Sequence, residues 1–259
     1  MSDLVLSLFP GIGLLDMAFE EEGFCVVRGP DLLWGGDIRR FHPPVGRFDG
    51  VIGGPPCQAF SRLRHLVEHN GYKVAENLIP EFERVIAEAQ PEWFLMENVP
   101  AAPVPVCPGY RLQPELVRDD TVGGETSRTR RFTFGGRYTP RPSWLGFRKF
   151  HIDTLALHQV GAPAVLAGGG YRSVPVAVGG SGKRKSTKAR DMGWKTAQAA
   201  QVAQVAQGLP EDFDLPGFTV AAKCKAIGNG VPIAMGRAVA RAVRGAISAV
   251  PVAERKEEE

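Results

Sequence analysis

The sequence has little cysteine, and what it has is scattered. Four cysteines, Cys25, Cys57, Cys107 and Cys224, stand in 259 residues. None forms a Cys-x-x-Cys pair or a Cys/His group with zinc-ligand spacing, and the five histidines show no ligand spacing either, so the expectation is no metal site. A disulfide framework is likewise unsupported, and free thiols fit a reducing, cytoplasmic location. No apolar run is long enough to cross a bilayer, which argues against a membrane role. The opening Met1 to Phe9 lacks the basic start and long apolar core of a signal peptide. Charge of one sign is also scarce: the net charge is only +3, so a nucleic-acid partner has to be argued from the placement of basic residues.

What is present suits a folded α/β chain. Hydrophobic residues make up 44% and charged residues 23%, enough apolar material for a core without staples. The first half alternates short apolar runs with amphipathic stretches, the pattern of a parallel sheet flanked by helices. Strands are expected at Leu4 to Phe9, Phe24 to Arg28, Asp49 to Ile52, Trp93 to Met96 and Phe132 to Phe134. Helices are expected over Leu14 to Glu22, over Glu76 to Ala89, over Thr196 to Gln207 and over Pro232 to Val250. From Pro140 to Arg190 the texture changes to Gly, Pro and basic residues with weak periodicity, as in a small irregular domain or long insertion. The tail Glu254 to Glu259 reads as a solvated end.

Several short motifs carry chemistry. Phe9-Pro-Gly11-Ile-Gly13 lies between a strand and a helix, where glycines let a ligand approach free helix N–H groups. Taken alone it is equally well a tight turn. Asp31 and Asp37 follow the second strand and could accept hydrogen bonds from ribose hydroxyls or an adenine amine; singly, each reads as well as a surface turn. Gly53-Gly-Pro-Pro-Cys57-Gln58 is more specific: two glycines and two prolines fix the path of a loop that presents a cysteine at a strand end, where a nucleophile is well placed. Glu97-Asn98-Val99 ends the next strand, and a carboxylate there can protonate or hydrogen-bond a heterocycle. Arg128 and Arg130 alternate on an extended segment and so share a face able to grip a base or phosphate.

The ordered set of Phe9-x-Gly11-x-Gly13, Gly36-Asp37-Ile38, Pro55-Pro-Cys57-Gln58, Glu97-Asn98-Val99, Arg128-x-Arg130 and Gly228-Asn229-Gly-Val-Pro232 resembles the DNA cytosine-C5 methyltransferase family. The resemblance implies a Rossmann-like, S-adenosylmethionine-dependent methyltransferase sheet with a small irregular target-recognition domain. It divides the chain into a catalytic domain (1–139), a recognition region (140–213) and a C-terminal segment returning to the catalytic domain (214–259). It implies Cys57 as nucleophile with Glu97, Arg128 and Arg130 in the catalytic set. Phe9, Gly11, Gly13, Asp31, Asp37, Pro55, Leu78 and Asn229 would serve the S-adenosylmethionine cofactor. Gln58, Ser61 and Arg62, in a loop that closes over DNA, and the basic run Lys183, Arg184, Lys185 and Lys188 would meet double-stranded DNA. A monomer is expected, with a cognate restriction enzyme as a candidate partner. The family usually places Gln where this chain has Thr126. An RNA cytosine methyltransferase of the same superfamily and a catalytically silent DNA- or cofactor-binding regulator are the competing readings; the absence of a Cys-Phe-Thr signature after Glu97-Asn98 favours DNA over tRNA, and intact Cys57, Glu97 and Arg130 argue against the regulator.

Overall fold

In a computed structural model, the protein is described over residues 3–56, 60, 76–138, 149–154, 170–171, 187–188, 204, 207–210 and 212–248. The apolar runs of the first half form β1 (Leu4–Leu8), β2 (Cys25–Arg28), β3 (Gly50–Gly53) and β4 (Trp93–Asn98), all parallel. Two antiparallel strands complete the sheet, β5 (Tyr110–Arg118) and β6 (Thr129–Arg137), in the order β2-β1-β3-β4-β6-β5. A separate two-stranded pair, β7 (Gly170–Tyr171) and β8 (Thr187–Lys188), lies in the Gly/Pro-rich stretch.

Burial on both faces explains why the central strands read as continuous apolar runs. One face carries α1 (Leu14–Glu21) and α4 (Ile233–Ile247), packed through Phe19, Met235, Val239 and Val243 onto Val5, Ile52 and Leu95. The other carries α2 (Ile79–Ala89), whose Ile79, Phe82, Val85, Ile86 and Ala89 stripe meets Leu6, Leu8, Val51 and Phe94. A fourth helix, α3 (Val220–Asn229), leads into α4.

The differences from expectation have local causes. Helix α2 begins at Ile79, not Glu76, because the Asn77 side chain accepts the Ile79 N–H at 3.0 Å. Strand β5 carries Pro114 and an alternating charged pattern that masks it; as an outer strand paired only with β6 it tolerates a proline. Helix α3 is capped by the Thr219 hydroxyl and has only a weak apolar face. Phe150 and Ile152 are buried in the main core, Phe150 stacked on Phe134 at 5.2 Å, so the packing of the large domain extends beyond residue 139. Of the expected helix at Thr196 to Gln207, only residues 204 and 207 are among those described.

The chain leaves β1 toward β2 on one side and later places β3 on the other side of β1. That reversal opens a crevice at the carboxyl ends of β1 and β3, where ligands of open α/β sheets bind.

Candidate active site

An open cleft occupies this crevice, lined by Phe9, Pro30, Asp31, Leu32, Gly36, Ile38, Pro56 and Leu78. Its enclosed volume, about 50 Å³, is well below the roughly 300–1,000 Å³ of formed small-molecule pockets, so the cleft is shallow and open. Phe9 takes a left-handed φ of 55°, costly for an aromatic residue and found at a cleft wall where the backbone is shaped for something other than its own ease. Gly13 caps α1 at φ 82°, and a Cβ there would stand 2.6 Å from Arg28 Nη2. Arg28 in turn pairs with the fully buried Asp16 at 3.1 Å, and Asp16 accepts the Ser7 hydroxyl at 2.5 Å. Burial raises the Asp16 pKa against the pull of Ser7 and Arg28.

Asp31 holds the glycine turn. Its Oδ2 accepts the Gly11 N–H at 2.8 Å and its Oδ1 accepts the Leu33 N–H at 2.7 Å, capping a short 3-10 turn. Each carboxylate oxygen keeps a further lone pair. Asp37 does not line the cleft, although its neighbours Gly36 and Ile38 do. Its carboxylate is taken up by Arg39 at 2.9 Å, which holds its pKa below the usual carboxylate range. Leu78 is buried at the start of α2 and faces the cleft.

The exit of β3 joins this cleft to a second group. Pro56 lines the cleft, while the preceding Gly54 lies against β4: a Cβ on Gly54 would be 2.9 Å from Glu97 Oε2. The Pro55 carbonyl accepts the buried Asn98 side chain at 3.2 Å. Glu97 forms an ion pair with Arg130 Nε at 2.7 Å, both side chains about 15% exposed. A carboxylate and a guanidinium thus stand side by side at the rim, able to meet the edge of a heterocycle.

The arginines at and just before the start of β6 do different work. Arg128 is buried, its Nη1 donating to the Gly228 carbonyl at 2.6 Å and its Nη2 to that of Asn229 at 3.4 Å. These are the last carbonyls of α3, where a cation is favoured by the helix dipole. Arg128 thus ties Gly228 and Asn229 to the rim. Arg131, which sequence reasoning passed over, donates to the Ala102 and Pro100 carbonyls and fixes the turn after Glu97. Thr126 is buried and donates its N–H (3.0 Å) and hydroxyl (2.6 Å) to Asp119. Arg84 of α2, also missed, donates to the Ile38 and Phe41 carbonyls at 2.8 and 3.1 Å and so braces the cleft wall from behind. The only sequence signal for it was its position between Glu81 and Glu88, which both pair with it at 2.8 Å.

Cys57, Gln58, Ser61, Arg62, Lys183, Arg184 and Lys185 lie outside the described residues, and Lys188 is described only by its place in β8. Among the described residues, no helix is long and apolar enough to cross a membrane.

The sequence model of the C-5 cytosine-specific DNA methylase family matches residues 35–102. The chain is similar to the Type II methyltransferase M.HgiGI of Herpetosiphon aurantiacus, 30% identical over 118 residues that cover 38% of this chain and 90% of that protein. Type II methyltransferase M.FnuDI of Fusobacterium nucleatum is 34% identical over 114 residues, 37% of this chain and 32% of its own length. M.NgoPII of Neisseria gonorrhoeae is 33% identical over 116 residues, 37% of this chain and 33% of its own. The match thus spans about a third of the length of these last two relatives. Among solved structures, Spodoptera frugiperda DNMT2 aligns with a TM-score of 0.59 at 16% identity, covering 94% of this chain and all of that one. A putative DNA modification methyltransferase from an E. coli prophage aligns with a TM-score of 0.57 at 18% identity, covering 95% of this chain and 100% of its own. At such identities the likeness shows the fold, an α/β methyltransferase sheet.

Proposed function

Because the chain belongs to the C-5 cytosine-specific DNA methylase family, we propose that it transfers a methyl group from S-adenosylmethionine to C5 of cytosine in double-stranded DNA. The observation that carries the reading is the Gly53 to Pro56 segment. It walls the cleft with Pro56, abuts the Glu97–Arg130 pair with Gly54, and leads directly into Cys57.

The cleft fits the proposed donor chemically. Phe9, Leu32, Ile38 and Leu78 offer apolar faces to a heterocycle, and Asp31 at the end of the β2 segment has lone pairs left for ribose hydroxyls. Bound there, S-adenosylmethionine supplies an electrophilic methyl group on a sulfonium. Everything else falls to the chain and the base. The Cys57 thiolate attacks C6 of cytosine, and the C5–C6 π electrons move to C5, which takes the methyl group. Glu97 hydrogen-bonds N3 as the ring charge changes, and Arg130 steadies O2. Loss of the C5 proton and elimination of the thiolate then restore the double bond and free Cys57. Cytosine C5 is inaccessible in a stacked duplex, so the base has to be flipped out. Lys183, Arg184, Lys185 and Lys188 are assigned to phosphates, an attraction that weakens with salt.

A methyl-transfer assay with radiolabelled donor tests this, with double-stranded DNA and RNA offered in parallel. DNA should be methylated, and DNA carrying 5-fluorocytosine should trap the chain covalently. Cys57→Ser should abolish both signals. Transfer to RNA alone, or normal turnover by Cys57→Ser, would overturn the reading.

A further inference from the structure

We infer that Trp34 is a positioning residue for the methyl donor, holding one peptide plane of the glycine turn so that its amide faces the ligand. This rests on the donor assigned above and concerns a residue that no motif of the sequence singles out. The Trp34 indole Nε1 donates to the Gly11 carbonyl at 2.6 Å. Gly11 is also held from its other side, its N–H donating to Asp31 at 2.8 Å. Packing does not hold it: Gly11 sits at φ 56°, and a Cβ placed there would meet nothing within 4 Å. Two hydrogen bonds from the 31–34 turn therefore set the conformation of a residue that glycine's freedom leaves loose.

The consequence follows from the planarity of the trans peptide. The Gly11 carbonyl and the Ile12 N–H belong to one plane and point in opposite directions. Fixing the carbonyl toward Trp34 turns the Ile12 N–H away from Trp34. That N–H has no hydrogen-bond partner among the described residues, whereas the next amide, Gly13 N–H, is satisfied by the Pro10 carbonyl at 2.8 Å. The Ile12 donor stands just before the N-terminus of α1, whose first amides are also open, a setting that favours an anionic or electron-rich group. Trp34 is itself kept in place by the edge of Phe218, ring centres 5.9 Å apart, yet is 59% exposed. Replacing it therefore disturbs little of the core.

The test measures binding of S-adenosylhomocysteine to the full chain by titration calorimetry. Trp34→Phe keeps an aromatic ring beside Phe218 and removes the indole N–H. It should weaken binding about three- to ten-fold, the factor for one hydrogen bond of ordinary net strength. It should raise KM for the donor while kcat at saturating donor stays near wild type, and the melting temperature should hardly move. In the ligand-free chain, hydrogen exchange across residues 9–14 should speed up in the variant. Wild-type affinity in Trp34→Phe would overturn the inference, and so would unchanged exchange over 9–14. A wild-type chain that binds no S-adenosylhomocysteine, with exchange still altered by Trp34→Phe, would instead refute the donor assignment and leave the clamp on Gly11 standing.

Discussion

The cleft at the ends of β1 and β3, proposed for the methyl donor, and the Glu97–Arg130 rim, proposed for the base, are held by opposite means. The cleft is shaped by backbone turns braced from outside: Asp31 and Trp34 on Gly11, Arg84 on Ile38 and Phe41. Most of these braces are reached by water, so each is worth little on its own. The rim is held by groups withdrawn from water: Arg128 on Gly228, Asn98 on Pro55, Thr126 on Asp119. In the dry setting an unpartnered member is costly, so the rim tolerates loss of a partner far less well. Under the proposed function, the pocket that would admit and release a small molecule is thus built to adjust, and the edge that would align reacting groups is built to stay.

Arg128→Met should produce the largest effect. It leaves the α3 carbonyls without their donor and the buried Asp119 carboxylate without a nearby cation. The expected loss is about 3 kcal/mol, as for removing one member of a buried charged pair. Arg84→Met, on the cleft side, should cost only about 1 kcal/mol, because its hydrogen bonds are exposed or only part-buried and the partners can rehydrate. Urea unfolding of both variants reads the contrast directly. Equal costs would mean that the two regions are not held differently.

Gly54→Ala should come next, through geometry and not stability. The added methyl would stand 2.9 Å from Glu97 Oε2, and the flexible end of that side chain can swing aside. Unfolding free energy should therefore change by less than about 1 kcal/mol. Methyl transfer should fall about 100-fold, the scale expected when a reacting group is displaced by around 1 Å. Unimpaired transfer would show that Glu97 need not be held where Gly54 leaves room for it.

These contrasts also mark what the sequence reveals. Strands β1, β3 and β4 are legible because burial on both faces demands unbroken apolar runs, and the glycines at 13 and 54 announce places where a side chain would collide with its neighbours. The pairing of Glu97 with Arg130 is foreshadowed by two motifs that end on adjacent strands. The role of Arg128 is not legible. Its partners lie about a hundred residues away, and the alternation that put it on one face with Arg130 says nothing of what that face meets. Asp119 is hidden for a similar reason. Asp119-Asp-Thr-Val122 carries no motif, yet it is folded inward and closes on Thr126. Arg84 shows only its local helix pairing, while its contact with the cleft wall depends on how α2 docks.

The smallest effect is one of pH, and it sharpens the comparison because each region contains one fully buried carboxylate. Asp16 lies under the glycine turn beside Ser7 and the half-exposed Arg28; Asp119 lies at the rim beside Thr126 and near Arg128. Burial raises both pKa values above the ordinary 3.8, outweighing the hydrogen bonds and cations that pull them down. A carboxyl group whose folded pKa is raised binds its proton more tightly in the folded chain. Its contribution to stability is complete below pH 3.8 and is lost as pH rises through the folded value. Exposed acids such as Asp37 and Glu21, held low by Arg39 and Arg237, act in the opposite sense, but they are common to wild type and variants. The difference in unfolding free energy between wild type and Asp16→Asn, or between wild type and Asp119→Asn, therefore isolates one group. Each difference should be constant below pH 3.8 and shift against wild type as pH rises toward neutrality. Urea unfolding in steps of pH measures it. A difference that does not vary with pH would mean that the carboxylate keeps its ordinary pKa, and that its region is wetter than the burial of its side chain implies.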